Sequence, residues 1–219
     1  MEIYPDLKEN EFNRLLTFIS TEKRERIKRF RVKSDAQSTL VGDILVRAEI
    51  CQLMGCKNND LIFSTNKYGK PYIENIPGVH FNLSHSGHYV VSALSSEPVG
   101  IDIETIKPID IAIAKRFFTQ DEYKYIHNSK NGNELTRFYE IWTMKESHIK
   151  WEGIGLSKPL NSFSVLNLRL NSYPYYYCIL KNNEVVCYTC TVEKQVPVTK
   201  HMQIKELLEI AFTMQTVED

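Results

Sequence analysis

In Val99-Gly100-Ile101-Asp102-Ile103-Glu104, apolar and polar residues alternate. As a strand, this run puts Val99, Ile101 and Ile103 on one face and Gly100, Asp102 and Glu104 on the other. The Cα atoms of the two acids are then roughly 6 to 7 Å apart. Their side chains can close that spacing around one cation, with Gly100 leaving room for a ligand. Oxygen-only donors favour Mg²⁺ or Mn²⁺ over zinc. The competing account is the solvated face of an edge strand. A third carboxylate, Glu146, lies on a helix expected over 134–150, beside an apolar stripe of Leu135, Phe138, Trp142 and Ile149. A carboxylate at the border of a buried stripe needs a partner. One is Lys150, placed for an i,i+4 pair; the other is a cation shared with Asp102 and Glu104. Lys145 and Lys150 flank Glu146 and could hold phosphate oxygens.

Two further segments could meet an anion. Residues 22–33 hold seven basic and two acidic side chains, either a local anion patch or a solvated helix face. A nucleic-acid surface would want aromatics interleaved on the exposed side, and Phe30 fits the apolar face with Ile27 better. Phe81-Asn82-Leu83-Ser84-His85-Ser86-Gly87-His88 ends a strand in a donor-rich turn, suited to a phosphate or a ribose or to plain turn chemistry. Neither serine there sits in GxSxG, and sequence adjacency of Ser84 and His85 is no evidence of a nucleophile–base pair. Gly69-Lys70 lacks the earlier glycine of a Walker loop, and Gly153-Ile154-Gly155 lacks the third glycine of a dinucleotide fingerprint. Cys187 and Cys190 fall in an expected strand where positions three apart point oppositely, which argues against a shared zinc. Thr119-Gln120-Asp121-Glu122 is a capping box. Tyr173 to Tyr177 read as strand packing.

The elements that must position these groups form two successive helix-then-strand runs. Helices are expected over 9–19, 20–31 (Ser20 as cap) and 34–54 (stopped by Gly55), followed by strands near 61–65, 71–74, 79–84, 89–94 and 99–104. Helices at 109–118, 120–128 and 134–150 and strands near 162–170, 175–180 and 185–192 repeat the order. A last helix, 203–213, has no counterpart. The class is α+β, in halves 1–98 and 99–219. With 27 basic and 27 acidic residues in 219, no global field recruits nucleic acid or a membrane surface. Apolar runs are far short of the ~20 residues that cross a bilayer. The first six residues have neither the basic start nor the apolar stretch of a secretory signal, and five cysteines do not make a disulfide framework. The expectation is a cytoplasmic protein.

Together, Val99–Glu104 and Trp142-Thr143-Met144-Lys145-Glu146-Ser147-His148-Ile149-Lys150 resemble the 4'-phosphopantetheinyl transferases of the surfactin-synthetase-activating type. Phe63-Ser64-Thr65, Tyr68-Gly69-Lys70-Pro71, Phe81 to Gly87, the basic region at Glu22-Lys23-Arg24 and Thr39 to Asp43 extend the likeness in register over about residues 12–165. The resemblance implies a pseudo-twofold pair of similar halves with coenzyme A bound between them. It implies transfer of the phosphopantetheine arm to a serine of an apo acyl or peptidyl carrier protein, releasing adenosine 3',5'-bisphosphate, with nonribosomal peptide synthetases or related carrier domains as targets. By the same likeness Asp102, Glu104 and Glu146 hold Mg²⁺, with Mn²⁺ as a substitute. Glu146 also serves as base toward the serine, directly or through water, and Lys150 contacts the pyrophosphate. Lys23, Arg26 and His85 meet the 3'-phosphate, with Arg26 standing where the family has lysine. Thr39, Lys70, Ser84 and Ser86 complete the coenzyme site. The carrier docks around Ile111 to Phe118, steered by Lys115 and Arg116, and a monomer suffices.

Overall fold

The computed structural model describes residues 7–128, 132–170 and 174–214. Residues 1–6, expected to carry no secretory signal, and Tyr173 of the tyrosine cluster lie outside them. The chain begins with α1 (Glu9–Leu15), α2 (Thr21–Lys28) and the long α3 (Lys33–Met54). Ser20 caps α2, its side chain accepting the Lys23 N–H at 3.3 Å. Gly55 ends α3 at φ 63°, the left-handed conformation that residues with a Cβ avoid. Two hairpins follow, β1 (Phe63–Thr65) with β2 (Pro71–Ile73) and β3 (His80–Ser86) with β4 (Tyr89–Ser95), and then β5 (Val99–Thr105). Beyond β5 come α4 (Ala114–Phe117), α5 (Gln120–His127), α6 (Glu134–Glu152), α7 (Val165–Leu170), β6 (Tyr175–Lys181), β7 (Val185–Thr191) and α8 (Ile204–Thr213). The class is α+β. No helix among the described residues is long and apolar enough to cross a membrane.

Residues 162–170, expected as a strand, instead run from a 3₁₀ turn into α7. Phe163, Val165, Leu166 and Leu168 do not by themselves choose between the two periods. Capping does, one cap from afar and one local: the Glu122 carboxylate accepts the Val165 N–H at 2.8 Å, and the Ser164 hydroxyl just before the helix accepts that of Asn167 at 3.3 Å. These are first-turn donors that a helix leaves unpaired.

One core joins α3 (Leu40, Val41, Ile44) to α1, to Ile27 of α2, to Phe81 and Val90 of the second hairpin, and to α8 through Leu207, Leu208 and Ala211. The closing helix therefore returns to the beginning of the chain. A second core packs Phe138, Ile141 and Met144 of α6 on Tyr176 of β6 and on Val186, Tyr188 and Cys190 of β7. A third, smaller cluster sets Ile101 and Ile103 of β5 and Val185 and Cys187 of β7 against Tyr89, Val91 and Ala93 of β4. Cys187 and Cys190 fall in different clusters, on the opposite faces that strand alternation requires.

Strand β5 pairs antiparallel with β7, which also pairs with β6. Between β5 and its other neighbour, β3, the described residues form no backbone ladder. Side chains bridge that seam instead. Asn82 Oδ1 accepts the Ile101 N–H at 2.9 Å, and Ser84 Oγ donates to Asp102 Oδ1 at 2.8 Å. Ser86 Oγ donates to Glu104 Oε2 and accepts the Thr105 N–H, both at 3.0 Å. The other face of β5 lies under α6. A Cβ at Gly100 would sit 2.0 Å from the Ser147 carbonyl oxygen and 2.4 Å from the Trp151 nitrogen. The room expected for a ligand at Gly100 is thus filled by the backbone of α6, and this close approach brings the acids of the strand to those of the helix.

Candidate active site at the contact of β5 and α6

Alternation along β5 and the approach at Gly100 place Asp102 and Glu104 beneath Glu146 and Lys150 of α6. These four, with Leu83, Ser84, His85 and Trp142, line a cavity of about 360 Å³. A second cavity of about 280 Å³ shares Glu146 and Lys150 with it and continues along Tyr68, Gly69, Lys70, Pro71 and Asn82. Asp102 is only 3% exposed, not on the solvated strand face that alternation alone left open.

Its Oδ1 takes the Lys150 ammonium at 2.6 Å and the Ser84 hydroxyl at 2.8 Å, while Oδ2 is buried with no partner. Burial pushes the Asp102 carboxyl above its usual range, against the pull of Lys150 and Ser84. Glu104 is pushed up to about 7, first by burial and then by the charge of Asp102, with a further push from Glu146. Glu146 is raised for the same two leading reasons. The three carboxylates thus carry more negative charge than their surroundings compensate. A divalent cation would neutralise it, and the donor set is all oxygen. They stand around the cavity without closing on one point: among the described residues no three His, Cys, Asp or Glu side chains are gathered as a metal cluster. The residues fit such an ion in charge and donor type.

Lys150 does not take the i,i+4 partner that helix spacing offers; its ion pair is with Asp102 on β5. Lys145, expected to flank Glu146 and hold phosphate oxygens, is turned the other way. It is fully buried, paired with Glu122 at 2.8 Å, and donates to the carbonyls of Leu160, at 2.7 Å, and Phe163. Glu122 both closes the Thr119 capping box and anchors this lysine. The pair fixes the back of α6 and is not available to a ligand.

Ser84 and His85 lie within β3, not in the turn beyond it, and alternation sends their side chains to opposite faces. The Ser84 hydroxyl is engaged by Asp102 and Lys150, so no serine–histidine dyad forms. His85 is exposed, yet the protein around its ring and then Lys150 hold its pKa below the usual imidazole value, against Asp35 and Asp102. Ser86 binds Glu104. The Lys70 ammonium donates to the carbonyls of Val99, Lys150 and Trp151 at 3.1, 2.6 and 3.3 Å, clamping the end of α6 to β5.

Lys23, Arg26 and Thr39 line neither cavity. The Lys23 ammonium is held by Asp43 at 2.8 Å, Arg26 is exposed on α2, and Thr39 is half-buried on α3. Phe30, expected on the apolar face of this segment, is 39% exposed.

Trp142, which the sequence places in an apolar stripe and at the head of the motif that ends in Lys150, lines the cavity and meets Phe117 edge-on at a centroid distance of 6.3 Å. Asn66 is a residue that sequence reasoning misses. Its side chain accepts the N–H groups of Tyr68 and Lys70 and donates to the Gly153 carbonyl at 2.8 Å, pinning the β1–β2 turn to the end of α6. An Asn three residues before Gly69 is a turn signal that local reading could have caught.

Comparison with known families matches residues 6–97 to "4'-phosphopantetheinyl transferase, N-terminal" and residues 98–202 to "4'-phosphopantetheinyl transferase superfamily". The chain is 47% identical over 193 residues to the 4'-phosphopantetheinyl transferase Sfp of Bacillus subtilis strain 168, covering 87% of this chain and 85% of that one. It is 49% identical over 165 residues to the B. subtilis transferase ffp, 74% of each chain. To the human L-aminoadipate-semialdehyde dehydrogenase-phosphopantetheinyl transferase it is 33% identical over 168 residues, 68% of this chain and 54% of that one.

Proposed function

The chain belongs to the 4'-phosphopantetheinyl transferase family, enzymes that load carrier proteins from coenzyme A, and from that premise we propose how its own residues carry the reaction. The observation that supports the proposal is the convergence of Asp102, Glu104, Glu146 and Lys150 on one cavity at the β5–α6 contact. Asp102, Glu104 and Glu146 would hold Mg²⁺, or Mn²⁺ in its place. Such an ion neutralises the charge of the coenzyme pyrophosphate.

The serine oxygen of the carrier forms a bond to the phosphorus bearing the pantetheine arm. The bond from that phosphorus to the bridging oxygen breaks, and adenosine 3',5'-bisphosphate leaves. Glu146 takes the serine proton, directly or through a water beside it. Lys150 meets the pyrophosphate. The bond changes are few, so positioning and charge stabilisation carry most of the catalysis.

The second cavity, with Lys70 and Pro71, extends the coenzyme site, and Ser84 and Ser86 hold two of the carboxylates from the β3 side. Lys23, Arg26 and His85 read the 3'-phosphate, and Thr39 borders it. The apo carrier docks on residues 111–118, where Lys115 and Arg116 are exposed and Phe117 contacts Trp142 of the cavity wall. The protein acts as a cytoplasmic monomer in halves 1–98 and 99–219, with α8 of the second packed on the core of the first, serving peptidyl carrier domains of nonribosomal synthetases or related acyl carriers.

The test is intact-mass spectrometry of an apo carrier incubated with the protein, coenzyme A and Mg²⁺. One added phosphopantetheine group, lost on chelation and restored by Mn²⁺, is the expected result. Several apo carriers left unmodified by folded protein with either metal would overturn the reading.

A further inference from the structure

We propose that Lys150 is a tethered placeholder for the divalent cation, occupying Asp102 until the ion displaces it and frees its ammonium for the pyrophosphate. The inference rests on the reading of Asp102, Glu104 and Glu146 as the cation site, and adds a role for Lys150 toward that site. Three buried or half-buried carboxylates around one cavity repel one another, and something positive must hold them when no metal is bound. Lys150 is the ammonium among the residues lining this cavity.

It crosses from α6 to β5, bypassing the carboxylate one turn away on its own helix, to reach Asp102 Oδ1 at 2.6 Å and Ser84 Oγ at 2.8 Å. Only one oxygen of Asp102 is used; Oδ2 remains buried and unpartnered, as expected of a ligand whose full complement is a cation of higher charge. The lysine can leave. Its side chain is 27% exposed and flexible, whereas its backbone carbonyl is fixed by Lys70 at 2.6 Å. The ammonium can therefore swing on an anchored stem without disturbing the helix.

A tethered and a diffusible cation that share one carboxylate each weaken the other's hold on it. Binding of Mn²⁺ alone, without coenzyme, is measured from free-ion electron paramagnetic resonance for the native protein and for Lys150→Met. The variant should bind Mn²⁺ more tightly by about tenfold, a typical coupling between linked sites. Simple charge repulsion would shift affinity in the same direction, so a second readout is needed. In the native protein, the acylation of Lys150 by acetic anhydride, followed by peptide mass spectrometry relative to exposed Lys115, should rise when Mn²⁺ is bound.

Binding no tighter in Lys150→Met, or Lys150 acylation unchanged at Mn²⁺ saturation, would overturn the proposal. A variant with Asp102→Asn, Glu104→Gln and Glu146→Gln separates the two levels. If it still binds Mn²⁺ as the native protein does, the carboxylate site itself is wrong. If it does not, the carboxylate site stands, and a failure of either Lys150 readout removes the placeholder role alone.

Discussion

Replacing Gly100 by alanine tests whether the approach of α6 to β5 is what builds the site. The new Cβ would lie 2.0 Å from the Ser147 carbonyl oxygen, 2.4 Å from the Trp151 nitrogen and 3.0 Å from the Lys150 carbonyl carbon. Ordinary contact begins near 3.4 Å, so the helix must withdraw by about 1.4 Å at its nearest atom. Those neighbours are backbone atoms of a helix clamped by Lys70 on one side and by Lys145 on the other, and no side chain can swing aside to relieve them. Overpacking of this kind costs about 1–3 kcal/mol of stability. A protein of ordinary stability, about 5–15 kcal/mol, survives that loss folded.

Activity should suffer far more, because Glu146 and Lys150 move with the helix while Asp102 and Glu104 stay with the strand. A misplacement near 1 Å costs about 100-fold in rate. Urea unfolding and the time course of carrier modification, measured on the same preparation, give the two numbers. Native turnover in a folded Gly100→Ala protein would refute the argument, and so would a loss of turnover no larger than the unfolded fraction.

Glu146→Gln keeps size and removes the charge, and single-turnover mass spectrometry should show the chemical step slowed far more than coenzyme binding is weakened. Lys23→Glu and His85→Ala should each raise the KM for coenzyme A much more than that for its 3'-dephospho form; equal effects would detach these residues from the 3'-phosphate. Lys145→Met leaves the Glu122 charge buried alone and should cost about 3–5 kcal/mol in urea melts, with Glu122→Gln in the same chain, which removes the charge and keeps an acceptor for the Thr119 and Val165 N–H groups, recovering part of it. Glu49, which accepts from Ser92 at 2.7 Å, has its pKa raised by burial. Its folded-state pKa lies above the unfolded value, so the protonated form favours folding, and that contribution is lost as pH rises above about 4.5. Glu49→Gln should stabilise the protein at pH 7.5 but not at pH 4, by urea melts at both.

Strand period alone places Asp102 and Glu104 together, because a two-residue repeat leaves no other choice. It does not say what covers that face, which is why Gly100 reads as space for a ligand and proves to be the seat of a helix. Lys145 and Lys150 can be separated from sequence: five residues is about 140° around a helix, too far apart for both to flank one group. Where Lys145 goes cannot, since its partner Glu122 already has a complete local explanation as a cap. The strand expected at 162–170 fails for two reasons: one cap, Glu122, comes from a helix distant in sequence, and the other, Ser164, is a local helix-start signal that the strand reading passes over. Lys23 and Arg26 are recognisable only by type and spacing, and their distance from the cavity lining belongs to the tertiary structure.

The return of α8 to the first core bears on the order in which the molecule is made. Translation delivers α1 to β4 first, yet their core lacks Leu207, Leu208 and Ala211 until more than a hundred further residues have been synthesised. At about 5–20 residues per second, the nascent first part waits seconds with an apolar flank of α3 uncovered, a period in which chaperones can hold it. The cluster of α6, β6 and β7 needs nothing beyond Cys190 and can close earlier, although its sequence comes later. A stop codon shortly before α8 would therefore damage the part of the protein farthest from it along the chain.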